Sequence, residues 1–435
     1  MADNLRIALA GVGTVGAGVV RLLEENGSLI AKRAGRTIEV VAVSARDRAK
    51  DRGVDLSAYD WEDDMTAFAA RGDVDVVVEL VGGSDGPALA LARKALENGK
   101  SLVTANKAMV AHHGLELAQL AEQSGAALRY EAAVAGGIPA IKGLGEGAAA
   151  NRIERIYGIL NGTCNYILSE MESTGRDFAD VLAEAQALGY AEADPTFDIE
   201  GVDAAHKLSI LAALGFGTRL DFASVDTSGI SRIRAADIAQ ADALGYVIRL
   251  IGLADVSGSE ESLQLFQRVA PYLVAKDHPL AGVSGPTNAV VCEGNFSGRL
   301  LFEGAGAGDG PTASAVVADL IDIARGSTPP PFSIPVSALE ETAPADPGHR
   351  RNRAYIRMVV ADKPGVLAEI TAAMRDAEVS IESFIQHGQP DGDDAPVLIG
   401  MVTHESPEAA VSKALTLLEG SPSLVEEPLV MRLLR

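Results

Sequence analysis

Three sets of residues could do chemistry by their types and spacing. The first is Gly11-Val12-Gly13-Thr14-Val15-Gly16, a GxGxxG pattern. It follows a short apolar run, Leu5 to Ala10, and opens a helical pattern from Gly13 to Leu29. There the first glycine allows a tight turn, the second lets a pyrophosphate approach the backbone, and the third lets helix and strand pack closely. Gly11, Gly13, Thr14, Val15 and Gly16 are therefore expected to hold a dinucleotide, its phosphates on the helix N-terminus. The second strand, Thr37 to Ser44, puts Ser44 and Arg46 where NAD enzymes usually carry an acid for the ribose hydroxyls. Arg46 suits a 2′-phosphate, which favours NADP(H) over NAD(H). Asp47 could swing in for NAD(H), and Arg46 and Arg48 could be plain solvated charges.

The second set joins lysines to acids. Lys107, in TANK, follows the short strand Ser101 to Thr104, at the strand end where open parallel sheets bind ligands. Asp203 and Lys207 stand i, i+4 on one helix face, which by itself describes a surface ion pair. Glu192, Asp194, Asp198 and Glu200 crowd beside them, enough to hold an ammonium group or to form a solvated acidic loop. A lysine of lowered pKa is suited to moving a proton at a carbonyl, and two lysines in one pocket are expected to lower each other. Cys164 has no nearby histidine in the sequence and reads as a small buried residue, not a nucleophile. His112 and His113 are adjacent and cannot face one point on a helix, so transition-metal catalysis is not expected. The third set, Asp362-Lys363-Pro364-Gly365-Val366-Leu367, links a strand to a helix and could offer backbone N–H groups to a carboxylate, or be only a tight turn.

These residues need a frame to position them. The chain has 435 residues, enough for two to three domains at roughly 150 residues each. Its 37 Lys+Arg against 60 Asp+Glu leave a net charge of -23, a poor basis for binding nucleic acid or an anionic membrane. Two cysteines, Cys164 and Cys292, cannot build a disulfide framework or a zinc ribbon, and suit a reducing compartment. No leader pattern opens the sequence and no apolar run reaches the ~20 residues of a membrane span. A soluble, cytoplasmic chain is expected.

Strands and helices alternate through residues 1–130, which predicts an α/β, Rossmann-type dinucleotide-binding domain. Residues 131–304 break that rhythm and read as an α+β substrate and dimerisation domain. A helix after the GAGAGDG loop, within 305–325, is expected to rejoin the first domain. Residues 326–350, with PPPFSIP and APADPG, read as a semi-rigid proline-rich spacer. Residues 351–435 follow the order βαββαβ, a separate ferredoxin-like unit, with a turn at Asp391–Asp394 and Ser406-Pro407 as N-cap and first residue of its second helix.

Taken together, GVGTVG, VVVELVGG, TANKAMVA, YEAAVAGGIPAI, GILNGTCNYIL, GYAEADPTFDIEGVDAAHKL and GDGPTASAV resemble homoserine dehydrogenases, in order, over about residues 5 to 325. The tail with DKPGVLAEI resembles an ACT domain, so the whole is similar to the monofunctional bacterial form. The resemblance implies reversible reduction of L-aspartate 4-semialdehyde to L-homoserine, on the route to threonine, methionine and isoleucine. It implies Lys107 and Lys207 as catalytic lysines, Asp203 as their acidic partner, and Glu192 and Asp198 as substrate carboxylates. Gly308 would return to the cofactor. It further implies a monovalent cation, usually Na+, on the Glu131 side chain and the carbonyls of Val134, Gly136 and Ile138, oxygen ligands that suit a hard ion. The ACT unit would take an amino acid, threonine foremost, at Asp362, Pro364, Gly365, Val366 and Leu367. A homodimer or homotetramer is expected. Two rival readings are an amino-acid sensor with a vestigial dinucleotide fold and an aspartate-semialdehyde dehydrogenase working through Cys164.

Overall fold

The computed structural model describes residues 4–259, 262–387 and 396–434. The turn expected at Asp391–Asp394 lies outside them.

The centre of the first sheet is built from short apolar runs, LRIALA, VVVE and SLVT, buried on both faces. Its strands are β1 (Leu5–Ala10), β2 (Ile38–Ser44), β3 (Asp60–Trp61), β4 (Val76–Glu79), β5 (Ser101–Thr104) and β6 (Leu128–Arg129). All pair in parallel, in the order 3-2-1-4-5-6. That is the doubly wound order, whose switch point lies between β1 and β4. Helices α1 (Thr14–Ala34), α2 (Pro87–Glu97) and α3 (Lys107–Ser124) make the crossovers. Helix α1 runs five residues past Leu29, because Ile30 and Ala34 extend its buried face and Gly35, at φ +81°, is the first residue able to turn the chain off.

The second sheet is antiparallel in its first part. It contains β7 (Ile153–Ile159), β8 (Tyr246–Ser259), β9 (Ser262–Ala275), β10 (Thr287–Gly294) and β11 (Gly298–Ala305). Helices α4 (Gly162–Thr174), α5 (Phe178–Ala187), the single turn α6 (Thr196–Ile199), α7 (Val202–Phe216) and α8 (Ala235–Ala243) belong to this part of the chain, and α7 is buried along nearly its whole length. After β11 the chain re-enters the first layer as α9 (Asp309–Ala324). Ala313, Val316 and Leu320 share a core with Ile7, Val19 and Val76 there.

The tail folds as β12 (Ala354–Val360), α10 (Val366–Asp376), β13 (Ile381–His387), β14 (Val397–Thr403), α11 (Glu408–Leu418) and β15 (Leu429–Leu433), in the ferredoxin-like strand order 15-12-14-13. It is not a detached unit. Strand β15 pairs in parallel with β9, so one sheet runs from β11 to β13 across both regions. Charged groups seal the seam: Arg357 meets Asp237, and Arg268 donates to Glu408 at 2.8 Å, with all four side chains buried.

Two local expectations change. The proline-rich stretch, expected as a semi-rigid spacer, is packed against the rest of the chain. Phe332 is fully buried, the Tyr130 hydroxyl donates to the Pro331 carbonyl at 2.6 Å, and Ala343–Pro344 pairs with β9. Its apolar residues find the groove that prolines alone could not foretell. Ser406 is not the N-cap of α11. It sits one residue outside, in a two-residue ladder with Asn352, and Pro407 takes the cap position without a side-chain bond.

Candidate active site

The glycine turn is shaped for a dinucleotide. Gly11 has φ +98°, and a Cβ there would meet the Leu80 carbonyl at 2.8 Å. A Cβ on Gly16 would stand 2.2 Å from the Gly11 carbonyl, so only glycine lets α1 lie this close. At Gly13 nothing lies within 4 Å, which leaves room for a ligand. Gly11, Gly13 and Thr14 line a cleft of about 1210 Å³ together with Ser44 and Arg46. Lys50 and Arg52 line the same cleft, basic groups that the motif reading passed over, and so does Asp47, the acid that could serve NAD(H). These residues fit a dinucleotide: an open turn, a helix N-terminus and cationic side chains at the far end of β2.

Leu80, Val81 and Gly82 wall this cleft and also a second cavity of about 1010 Å³. Val15 and Gly308 line the second cavity, Gly308 at φ +118° as the residue before α9. Gly16 is buried behind the turn and serves packing.

The second cavity collects the ionisable residues. Lys107 is the first residue of α3, where the Asn106 side chain caps the helix by accepting the Met109 N–H at 3.1 Å. The Asn106 amide also donates to the Gly83 carbonyl at 2.7 Å, and its backbone N–H donates to the Thr104 hydroxyl. That hydroxyl donates to Glu79 at 2.6 Å, while the other Glu79 oxygen accepts the Val81 and Gly82 N–H groups. The fully buried Glu79 thus fixes the loop between the two cavities and the turn that carries Lys107. Its only trace in the sequence is an acid inside the apolar run VDVVVEL.

On α7, Asp203 and Lys207 are one turn apart and both buried, not on a solvated surface. The Lys207 ammonium donates to Asp203 and to the Leu160 carbonyl, each at 2.7 Å. The other Asp203 oxygen lies 2.8 Å from the Lys107 ammonium. Burial alone would raise the Asp203 carboxyl, but the two ammonium groups hold it well below the usual carboxylate range. Burial, helped by the charge of Lys107, lowers Lys207. Lys107 departs from expectation: burial pulls it down, but Asp203, Asp198 and Glu192 outweigh this and raise it. Only one of the paired lysines is lowered, because three carboxylates surround the other.

Glu192 and Asp198 line the same cavity. Asn161, which motif reading missed, donates to Asp198 and to Asp203 at 2.8 Å each. Cys164 is fully buried, its thiol donating to the Asp198 carbonyl at 3.2 Å, and burial pushes its pKa up. A thiol in that state is a poor nucleophile. His112 and His206 meet across α3 and α7 with 3.2 Å between their Nε2 atoms.

The loop proposed for a cation is buried at Glu131, Val134 and Ile138. The Glu131 carboxylate already accepts the Ile141 and Lys142 N–H groups, at 3.0 and 2.9 Å. Burial and the neighbouring Asp319 push it up to about 7. Lys142 pairs with Asp319 and Asp322, at 3.2 and 2.6 Å. Among the described residues no cluster of three or more His, Cys, Asp or Glu could hold a metal by side chains alone, and no helix is long and apolar enough to cross a membrane. In the tail, Gly365 stands before α10 at φ +99°, with Asp362, Pro364 and Leu367 exposed around it and Val366 buried.

A doubly wound sheet whose open glycine turn leads into a lysine–aspartate–lysine cavity defines a nicotinamide-nucleotide-dependent oxidoreductase. The chain matches the family models described as "Homoserine dehydrogenase, NAD binding domain" at residues 11–131, "Homoserine dehydrogenase" at 139–321 and "ACT domain" at 354–419. It belongs to the homoserine dehydrogenase family, oxidoreductases acting on a CH–OH group. A Pseudomonas aeruginosa homoserine dehydrogenase is 46% identical over 421 residues, 95% of each chain. The solved homoserine dehydrogenase of Thiobacillus denitrificans superposes with TM-score 0.91 at 41% identity, covering 99% of this chain and 98% of that one. A hyperthermophilic archaeal homoserine dehydrogenase mutant, solved in complex with NADPH, matches 74% of this chain and 97% of its own at 26% identity and TM-score 0.62.

Proposed function

We propose that this protein reduces L-aspartate 4-semialdehyde to L-homoserine, reversibly, with NADP(H) preferred and NAD(H) possible, on the route to threonine, methionine and isoleucine. The observation that carries the reading is the pair of lysines on one buried aspartate, in the cavity that Val15 of the dinucleotide turn also lines. A nicotinamide cofactor would supply the hydride for the aldehyde carbon. Gly11, Gly13, Thr14, Val15 and Gly308 would hold that cofactor, and Arg46 would take a 2′-phosphate. Lys207, lowered by burial, donates the proton that the resulting alkoxide needs, and takes it back in the reverse direction. Lys107, raised by its acidic neighbours, stays cationic and stabilises the same oxygen. Asp203 orients both. Glu192 and Asp198 face the substrate ammonium group.

A monovalent cation such as Na+ would sit at the carbonyls of Val134, Gly136 and Ile138 with Glu131, steadying the loop. The chain would work as a homodimer or homotetramer. Strand β11, outermost on its sheet path with Leu301 exposed, supports pairing there. Threonine at Asp362, Pro364, Gly365, Val366 and Leu367 would regulate it.

The test is absorbance at the nicotinamide band with aspartate 4-semialdehyde and NADPH or NADH in parallel. Oxidation of either cofactor establishes the reaction. Folded protein that binds NADPH and leaves the semialdehyde untouched removes it.

A further inference from the structure

Asn161 lies between β7 and α4 and is buried. Its side-chain oxygen accepts the Cys164 N–H at 2.8 Å, which caps α4. That bond settles which way the amide faces: the nitrogen points to the acids. Its two hydrogens go to two different carboxylates, Asp198 and Asp203, both at 2.8 Å. The residue before it, Leu160, gives its carbonyl to the Lys207 ammonium. Two consecutive backbone positions therefore hold three of the ionisable groups of the cavity.

We propose that Asn161 is a positioning residue, which holds Asp198 and Asp203 side by side as anions by donating one N–H to each, and so keeps Asp198 charged for the substrate ammonium. The part about substrate rests on the reading of Asp198 given above; the part about the two anions does not. Two carboxylates this close repel, and without a shared donor one of them takes up a proton. The groups facing Asp198 are Asp203 and Lys207 on α7, Lys107 on α3, Glu192 and Glu200 to either side in the chain, and the Thr163 hydroxyl and Cys164 thiol on α4. The lysines are already engaged with Asp203. Burial and Asp203 push Asp198 up, and the bond from Asn161 opposes them most directly.

The test uses the full chain with N161S, which keeps a capping oxygen but loses the paired donor, and N161D, which keeps the shape and puts a third carboxylate there. The reduction is followed as kcat/KM from pH 5.5 to 9, where lysine protonation does not limit the acid side. In N161S the acid limb should move to higher pH, so that the loss against wild type is largest at pH 5.5 and shrinks steadily toward pH 8.5. N161D should move further. NADPH binding by fluorescence should be unchanged in both. The same loss at every pH, or none, overturns the proposal. Thermal melts of wild type and N161S from pH 4.5 to 8 give a readout free of turnover. The gap in Tm should widen as pH rises, since the unshared pair repels only when both members are ionised. A constant gap overturns the proposal. Should the wild type bind NADPH yet leave the semialdehyde, the proposed reaction fails and the melts alone decide on Asn161. If N161S does not fold, N161D is melted in its place, with a wider gap expected.

Discussion

The Lys107 ammonium on α3 lies 2.8 Å from the Asp203 carboxylate on α7, an ion pair that joins the dinucleotide-binding region to the substrate region at the cavity between them. Asp203 holds Lys207 with its other oxygen, so the two lysines share one anion but not one environment. Lys207 is the more buried and is lowered; Lys107 is raised. Lys207→Ala should therefore cut kcat by about 10²–10⁴-fold, the range of a general acid. NADPH affinity should stay within about twofold, because Lys207 does not line the cleft that the glycine turn opens. Steady-state rates with a fluorescence titration of NADPH check this, and an unchanged kcat would remove Lys207 from the chemistry.

His206 sits directly before Lys207, buried against Phe222 and 3.2 Å from His112. Burial, then His112 and the two lysines, lower it to about 4 against the pull of Asp203. The unfolded chain takes up this proton near pH 6.5, whereas the folded chain resists until about 4. The contribution of neutral His206 to stability is thus fully present above pH 6.5 and is lost as pH falls from there toward 4. Between pH 7 and 4.5 it amounts to at most about 3 kcal/mol. His206→Gln should lose less stability over that interval than the wild type does, read from urea midpoints at the two pH values. Equal losses in both proteins would show that the ring is not held neutral.

Much of this arrangement is legible in the sequence, and the illegible part has a physical pattern. GVGTVG and the β-branched runs announce a doubly wound sheet because backbone needs are local: φ at Gly11 and the packing at Gly16 admit only glycine. Lys107, Asp203 and Lys207 are visible as types, but that both lysines share Asp203 is not, because Lys107 and Asp203 are 96 positions apart and only the packing of α3 on α7 brings them together. Asn161 and Glu79 stay hidden for a different reason. Asparagine after a strand reads as a cap and an acid in an apolar run reads as an anomaly, and each role appears only when its partners arrive from other segments. The fate of residues 326–350 depends on a groove made by the rest of the chain, which proline content cannot reveal.

Arg46 lines the far end of the dinucleotide cleft beside Ser44 and next to Asp47, just past the tip of β2. If it reads a 2′-phosphate, Arg46→Gln should lower the preference for NADPH over NADH by about tenfold, the value of one charge-assisted contact near 1.4 kcal/mol. The loss should fall on the KM for NADPH and leave the KM for NADH within about twofold. Parallel initial-rate series with both cofactors check it. An unaltered ratio would pass the role to Lys50 or Arg52, which line the same cleft.

The tail cannot be tested cleanly by removing it. A chain ending near Gly326 would bare the β9 edge that pairs with Arg432 and Leu433, and would strip Glu408 from the buried Arg268 and Arg357 from the buried Asp237. Breaking buried pairs of this kind costs about 3–5 kcal/mol, so lost threonine response in a shortened chain would report damage as readily as lost binding. A substitution in the turn is cleaner. Gly365 adopts φ +99° with open space around its Cα, so Gly365→Val strains the backbone of the turn without touching the seam. Threonine should inhibit the wild type and not Gly365→Val, each rate being referred to the same protein without threonine. Thermal shifts with threonine should vanish in the variant while shifts with NADPH persist. Equal inhibition of both proteins would place the effector outside Asp362–Leu367, and no inhibition of either would leave the tail as a structural extension of the substrate sheet.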